Sequence, residues 1–384
     1  MGEVATLLEE PVVLAEEADL VRLITLNRPR HLNVIGEEVV ALLATYFEKW
    51  EKDDSAELII IKGAGRAFSA GGDLRVFYQG RDKNDSCLEV VYRMYWLCYH
   101  LHTYKKTQVA LVNGVCMGGG AALIVPAKFS VVTEKTVFAT PEAGIGFHTE
   151  CSFSYIHSRL PGHLGEYLAL TGARLNGKEL VAAKLATHFV PSEKLPKVEK
   201  RLISLNKGDE DAVKSVIEDF SSDVQVDEES ILNKQSTIDA CFSKDSVEEI
   251  ISSLEAELSK EGNGWIGPVL KGLKRSSPTG LKITLRSIRD GRKQTLAECL
   301  KKEFRVTMSI LRTKISGDVY EGIRALIIDK DNSPKWGPSS LEKVSNEDLD
   351  LVFQPFEERL ELIVPETEER RWDGKYENSA YPAK

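Results

Sequence analysis

The sequence predicts an α/β layer structure, and two observations carry that prediction. Short apolar runs that read as buried strands alternate with segments of helical periodicity through about residue 145. Two of those runs, Leu58 to Lys62 and Val109 to Val112, lead into glycine-rich segments. These are Phe68-Ser69-Ala70-Gly71-Gly72-Asp73 and Asn113-Gly114-Val115-Cys116-Met117-Gly118-Gly119-Gly120. A strand closed by consecutive glycines exposes backbone N–H groups that no side chain screens, and two such ends side by side can converge on one oxygen. With the carboxylate of Thr140-Pro141-Glu142 nearby, this is the layout of an oxyanion hole with an acid/base or nucleophilic partner.

The elements follow in order. Val21 to Leu26 reads as a strand closed by the turn Asn27-Arg28-Pro29. Gly36 to Lys52 has helical periodicity, with Val39, Val40, Leu43, Phe47 and Trp50 on one side. Strand, glycine turn and helix then recur. Ser152 to Thr171 is helical and broken by Pro161-Gly162, and Ser246 to Glu261, Leu281 to Asp290 and Thr295 to Ile315 are helix candidates. Residues 205–245, rich in Asp, Ser and Lys, read as a loosely ordered insertion or a small helical excursion. Residues 356–384 form a Glu-rich tail with little apolar material, expected to be solvated or draped over the surface. The chain thus divides into a core at 1–204, an insertion at 205–245, a helical C-terminal region at 246–355 and the tail at 356–384.

Composition narrows the class. The 384 residues are 42% hydrophobic with mixed charges, as in ordinary globular proteins, and no apolar stretch reaches the length of a membrane span. A net charge of −9 argues against nucleic acid as the main partner. The six cysteines show no C-x-x-C pair and read as reduced packing thiols. The histidines form no metal-ligand cluster; His100 and His102, two apart on a helix, would not face each other and read as ordinary packing.

Taken together, the motifs resemble the crotonase (enoyl-CoA hydratase/isomerase) superfamily. The matching marks are Leu26-Asn27-Arg28-Pro29 with Asn33, the two glycine segments, and Phe138-Ala139-Thr140-Pro141-Glu142. Asp318-Val319-Tyr320-Glu321-Gly322-Ile323-Arg324-Ala325, Asp329-Lys330-Asp331 and Pro334-Lys335-Trp336 also fit, so the resemblance spans roughly residues 10–355. It implies a spiral of ββα units followed by a helical C-terminal region. Within the superfamily the chain is most similar to the 3-hydroxyisobutyryl-CoA hydrolases, especially plant members. A hydratase would carry a glutamate two residues after the third glycine, where this chain has Ala122. The hydrolase branch keeps one glutamate in the Pro-Glu motif and an acid eight residues later, here Glu142 and Glu150.

The resemblance implies an acyl-CoA substrate whose thioester carbonyl sits between the N–H groups of Ala70 and Gly119, with CoA entering as part of the substrate and no other cofactor or metal. Glu142 would attack the carbonyl to form a mixed anhydride, or activate a water; the sequence leaves both open. Glu150 would hold the substrate hydroxyl or position the water. Gly71 and Gly118, beside the donors, are expected to contact the substrate, and Asp73 is expected to cap the helix after it. Arg28, Arg30, Lys62, Arg66 and Arg75 adjoin the motifs that shape the nucleotide pocket, with Arg30 and Arg66 ranked first for the ribose phosphate and pyrophosphate. The branch usually reads Leu-Phe-Pro-Asp where this chain reads Phe147-His148-Thr149-Glu150. His148 is expected to face solvent or fill the space of the family's aromatic residue; the sharper alternative is a charged histidine beside two carboxylates, relaying a proton or anchoring Glu150.

The implied reaction is hydrolysis of a short 3-hydroxyacyl-CoA, foremost 3-hydroxyisobutyryl-CoA of valine breakdown, with a hydratase/isomerase or a non-catalytic acyl-CoA binder as rivals. Crotonase relatives are often trimers or hexamers, which implies a homo-oligomer unless the 205–245 segment alters it. No presequence is evident, and the plant resemblance points to the peroxisome, otherwise the cytosol. The ending Tyr381-Pro382-Ala383-Lys384 is one leucine short of a peroxisomal Ala-Lys-Leu and as written is not that signal.

Overall fold

The computed structural model describes residues 10–365 and 367–381, so the targeting reading of the last three residues lies outside the described residues. In chain order the strands are β1 (Val13–Ala18), β2 (Val21–Leu26), β3 (Leu58–Gly63), β4 (Ala67–Ser69) and β5 (Thr107–Val112). They continue with β6 (Val115–Met117), β7 (Phe129–Val132), β8 (Val137–Ala139), β9 (Leu175–Asn176) and β10 (His188–Phe189). A six-stranded sheet runs β1-β2-β3-β5-β7-β10 and a four-stranded one β4-β6-β8-β9. Within the first, every pair after β1–β2 is parallel; in the second, β4–β6 and β6–β8 are parallel. The pairs β3/β4, β5/β6 and β7/β8 each cross from the large sheet to the small one, which is the ββα spiral.

The large sheet is buried on both faces, as parallel sheets are. Alternate residues of β2, β3, β5 and β7 divide between two cores. Ile24, Leu26, Ile59, Ile61, Ala110 and Val112 face the main one; Leu23, Leu58, Ile60, Val109 and Leu111 face the other. That second face is covered by helices Leu195–Leu205 and Glu210–Glu218 through Val198, Leu202, Val213, Val216 and Ile217. The start of the polar 205–245 segment therefore closes the outer side of the sheet, its few apolar residues falling at helical spacing.

The helices lie near their expected positions: Glu37–Glu51, Phe153–His157 and Leu164–Thr171 on either side of Pro161-Gly162, then Val247–Leu258, Pro278–Gly291 and Leu296–Leu311. All six cysteines are buried. Among the described residues no helix is long and apolar enough to cross a membrane.

The tail departs from its expected poverty in buried material. Leu362, Val364 and Tyr376 enter the main core. Arg371 forks onto the buried Glu51 carboxylate at 2.6 and 2.7 Å. Burial alone would raise the Glu51 carboxyl, but hydrogen bonds from His100 and Arg371 outweigh it and hold it down to about 2. A low average hydropathy conceals three well-placed apolar side chains and one cation.

Candidate active site

The motif Leu26-Asn27-Arg28-Pro29 with Asn33 is a lock on the first glycine segment. Asn33 donates its side-chain amide to the carbonyls of Ala64 and Ala67 at 2.9 and 2.8 Å and accepts from Arg28 N at 2.8 Å. Ser69 donates its hydroxyl to Asn33 O at 2.8 Å and accepts from Gly71 N at 3.2 Å. These bonds pin the end of β4, where Gly71 adopts φ +97°, against the end of β6. A Cβ on Gly71 would lie only 3.0 Å from Met117 O, so a side chain there would push the two strand ends apart.

This geometry corrects the expected donor pair. The Ala70 N–H is already spent on Leu32 O at 2.9 Å, in the backbone pairing that continues through Ile35 N to Gly71 O at 2.8 Å. A donor bonded at that length is not open to a ligand. Gly72 N–H, two residues on, has no partner among the described residues, and it lies 3.8 Å from where a Cβ on Gly119 would be. Gly119 is the second residue of the short helical turn Gly118–Leu123, and the N–H groups of a first turn have no acceptor within it. Gly72 and Gly119 both line a narrow apolar pocket with Val90, Met94, Phe147 and Glu150. The pair able to receive a carbonyl oxygen is thus Gly72 with Gly119.

Glu142 opens a helical turn, Glu142–Ile145, after β8, and its carboxyl meets this glycine turn: a Cβ on Gly118, which has φ +49°, would lie 2.8 Å from Glu142 Oε1. Both carboxyl oxygens are buried without a hydrogen-bond partner among the described residues. Burial, with the nearby Glu150 and Glu303 carboxylates, raises the Glu142 carboxyl well above its ordinary range. An unpartnered buried acid costs folding energy and is kept where it has work to do. The C-terminal motif supports this turn: Gly146 and Gly322 let the helix Asp318–Ile323 approach so closely that a Cβ on either would clash with opposing backbone. Asp318 is held by Ser277 Oγ at 2.6 Å and Gly337 N at 2.9 Å.

Glu150 reaches the pocket from the facing wall. It accepts Cys151 Sγ–H at 2.7 Å, and burial raises its carboxyl to about 7. The next two residues, Cys151 and Ser152, have φ of 58° and 74°, strained for side chains other than glycine. The fully buried Glu303 holds them there, accepting from Ser152 N at 2.7 Å and Ser154 N at 2.8 Å.

Two further expectations need correction. His148 neither faces solvent nor carries charge: it is fully buried, burial lowers it to about 3, and its Nε2 bonds Thr307 Oγ1 at 2.7 Å rather than a carboxylate. Asp73 occupies the N-cap position of Leu74–Gly80 but makes no side-chain cap; its carboxylate accepts from Arg28 at 3.2 Å instead. Among the expected nucleotide-pocket cations, exposed Arg30 lines a surface cleft with Arg28, His31 and Glu37. Arg66 is exposed but does not line that cleft, Lys62 is paired with Glu199 at 2.6 Å, and Arg75 contacts Ile327 O at 3.4 Å. Gly72, Tyr95 and Thr307 were not expected at the site; Tyr95 and Thr307 line its pocket from the helices Leu88–His102 and Leu296–Leu311.

Residues 21–353 match the family described as enoyl-CoA hydratase/isomerase. The chain belongs to this family. Within it the chain sits in the 3-hydroxyisobutyryl-CoA hydrolase branch. It is 71% identical over 97% of both chains to the Arabidopsis thaliana 3-hydroxyisobutyryl-CoA hydrolase-like protein 5. It is 42% identical to Arabidopsis 3-hydroxyisobutyryl-CoA hydrolase 1, over 92% of this chain and 94% of that one. The fold agrees with that of a carnitinyl-CoA dehydratase from Mycobacterium thermoresistibile, at TM-score 0.83 and 32% identity over 91% of this chain and 98% of the other. Some relatives carry names that place them in mitochondria; none of those similarities supports the peroxisome.

Proposed function

We propose that this member of the enoyl-CoA hydratase/isomerase family hydrolyses the thioester of a short 3-hydroxyacyl-CoA, foremost 3-hydroxyisobutyryl-CoA, to the free acid and CoA. The observation that carries the reading is the unpartnered Glu142 carboxyl beside the open Gly72 and Gly119 N–H groups. With the thioester oxygen between those donors, attack at the carbonyl carbon places negative charge on an oxygen that preorganised dipoles stabilise more than the ground-state carbonyl. Whether Glu142 attacks the carbon directly or takes a proton from the attacking water, it acts in its ionised form. Its raised pKa makes it a stronger base once ionised. The other carboxyl of the pocket, Glu150, suits the substrate hydroxyl. Position 122 offers only a buried methyl, which disfavours hydration of a double bond.

The cleft lined by exposed Arg30 and half-buried Arg28 is the candidate seat of the CoA phosphates. A 3-hydroxyisobutyrate product fits a place in valine breakdown. The test is thiol release from 3-hydroxyisobutyryl-CoA by the native chain, Glu142→Ala and Glu150→Asp. Release that Glu142→Ala abolishes is expected; full release by Glu142→Ala, or none by the native chain, overturns the reading. Hydrolysis in water enriched in oxygen-18 under single turnover tests the nucleophilic role of Glu142. Label in the enzyme carboxyl after that turnover requires a mixed anhydride that water attacks at the glutamate, whereas label confined to the product is common to both roles.

A further inference from the structure

Glu150 opens a tight turn that its own residues do not favour. Phe153 N donates to Glu150 O at 3.2 Å, and the two residues between, Cys151 and Ser152, have φ of 58° and 74°. A turn with both central residues left-handed, type I′, is ordinarily built from Gly, Asn or Asp, because other side chains crowd the backbone there. Here it is built from Cys and Ser, so groups outside the turn must hold it.

Two such groups are in place. Glu303, fully buried on the helix Leu296–Leu311, spends one carboxylate oxygen on each of two main-chain donors. Oε2 accepts from Ser152 N at 2.7 Å and Oε1 from Ser154 N at 2.8 Å. His102 Nε2 bonds the Ser152 hydroxyl at 2.9 Å. Ser152 therefore gives no side-chain cap to the helix Phe153–His157, and a carboxylate 149 residues further along the chain supplies the missing acceptor. The neighbouring Lys302 gives its ammonium to Ser287 O and Gln294 Oε1 rather than to Glu303. The Glu303 carboxylate is thus committed to the main chain of the turn, through charge-assisted bonds of the strong kind.

What the turn carries is one wall of the acyl pocket, since Glu150 and Cys151 both line it. Cys151 Sγ–H donates to Glu150 Oε2 at 2.7 Å, and the same sulfur would meet a Cβ on Gly119 at 3.8 Å. The turn therefore fixes where the Glu150 carboxyl stands relative to the oxyanion donor.

We propose that Glu303 is a positioning residue that holds Glu150 against the pocket and thereby sets the preference for acyl groups carrying a 3-hydroxyl. The proposal rests on the reading of Glu150 as the partner of the substrate hydroxyl. Glu303 does not line the pocket and acts through the backbone of the turn. Relaxing the turn moves Glu150 and leaves the Gly72 donor and the Arg30 cleft, which lie on other segments, where they are. A carboxyl displaced by about 1 Å no longer meets a hydroxyl at hydrogen-bond distance. What is lost is discrimination, not acyl-CoA binding as such.

The test reads binding without turnover. In a Glu142→Gln background, calorimetry gives the affinities for 3-hydroxyisobutyryl-CoA and for isobutyryl-CoA, which lacks only the hydroxyl. With Glu303 in place the hydroxylated ligand is expected to bind about 10–100-fold more tightly, as one hydrogen bond to a charged group allows. Glu303→Gln turns an amide N–H toward one of the two main-chain donors. It is expected to bring the ratio close to one, with the affinity for isobutyryl-CoA unchanged. An unchanged ratio in folded Glu303→Gln overturns the proposal, and so does a ratio near one with Glu303 present. Equal loss of affinity for both ligands marks a merely structural role and also overturns it. Should Glu303→Gln not fold, Glu303→Asp decides on the same ratio, because it keeps the charge and shortens the reach by one methylene. If the ratio behaves as expected but the chain with native Glu142 releases no thiol, Glu303 keeps this role and the hydrolase reading falls.

Discussion

Gly119→Ala separates the oxyanion site from the fold. Gly119 has no positive φ, so alanine fits its backbone without strain. A Cβ there would meet Met94 Cε at 3.7 Å, Cys151 Sγ at 3.8 Å and Gly72 N at 3.8 Å, all ordinary van der Waals contacts. The variant should therefore fold with stability within about 1 kcal/mol of the native chain. The same three contacts say where the methyl goes: into the space beside the Gly72 N–H that the substrate oxygen must enter. Displacing the oxygen from one donor is worth about 10²–10³ in rate, or roughly 3–4 kcal/mol in the transition state. The assay pairs thiol release from 3-hydroxyisobutyryl-CoA with thermal unfolding. Gly272→Ala is the control: it lies inside the helix Ile266–Arg275 with nothing within 4 Å of the added Cβ. It should leave turnover alone and stabilise by about 0.5–1 kcal/mol. A folded Gly119→Ala enzyme with native kcat/KM would refute the assignment of Gly72 and Gly119 as the donor pair.

The other predictions follow from the carboxyls. Glu142→Gln keeps the shape and removes the base, so thiol release should fall by about 10²–10⁴-fold with the fold intact by circular dichroism. Glu150 has a folded-state pKa of about 7 against an ordinary 4.5, so the folded chain holds its proton longer than the unfolded one and stability falls as pH rises from 4.5 to 7. Glu150→Gln should therefore gain on the native chain by on the order of 3 kcal/mol at pH 8 and by little at pH 4.5, measured by urea unfolding. Glu51 behaves oppositely: its depressed carboxyl contributes stability above pH 4.5 that is lost as pH falls toward 2. Arg371→Ala, which leaves that carboxylate buried without its cation, should cost about 3–5 kcal/mol in the same measurement at pH 7.

Much of the fold was legible because local patterns and global packing agree. β2 occupies the residues Val21–Leu26 that its apolar run marks, and Pro161-Gly162 separates two helices where such a dipeptide should. What stayed hidden was tertiary. The tail's Arg371 meets Glu51 across 320 residues, and no composition window distinguishes such a cation from a solvated one. Tyr95 and Thr307 meet across 212 residues on separate helices, where each reads as one more core position.

The donor pair shows where motif reading stops and backbone accounting begins. The segment Phe68 to Asp73 announces a cluster of open N–H groups, but which of them is open depends on what the rest of the chain takes. Leu32 O takes Ala70's, Ser69 Oγ takes Gly71's, and Gly72's is left over. Leu32 stands in the left-handed region at φ 51°, in a turn that the Asn33 side chain fastens to Ala64 and Ala67. The asparagine of an early motif thus decides which amide of a glycine segment nearly 40 residues later faces the pocket. Asn33→Ala should consequently impair turnover out of proportion to its distance from the reacting atoms, because it frees Leu32 O to release Ala70. A lowered kcat with CoA binding retained is the expected signature, and unchanged kcat in a folded Asn33→Ala enzyme would break the link between that turn and the donor pair.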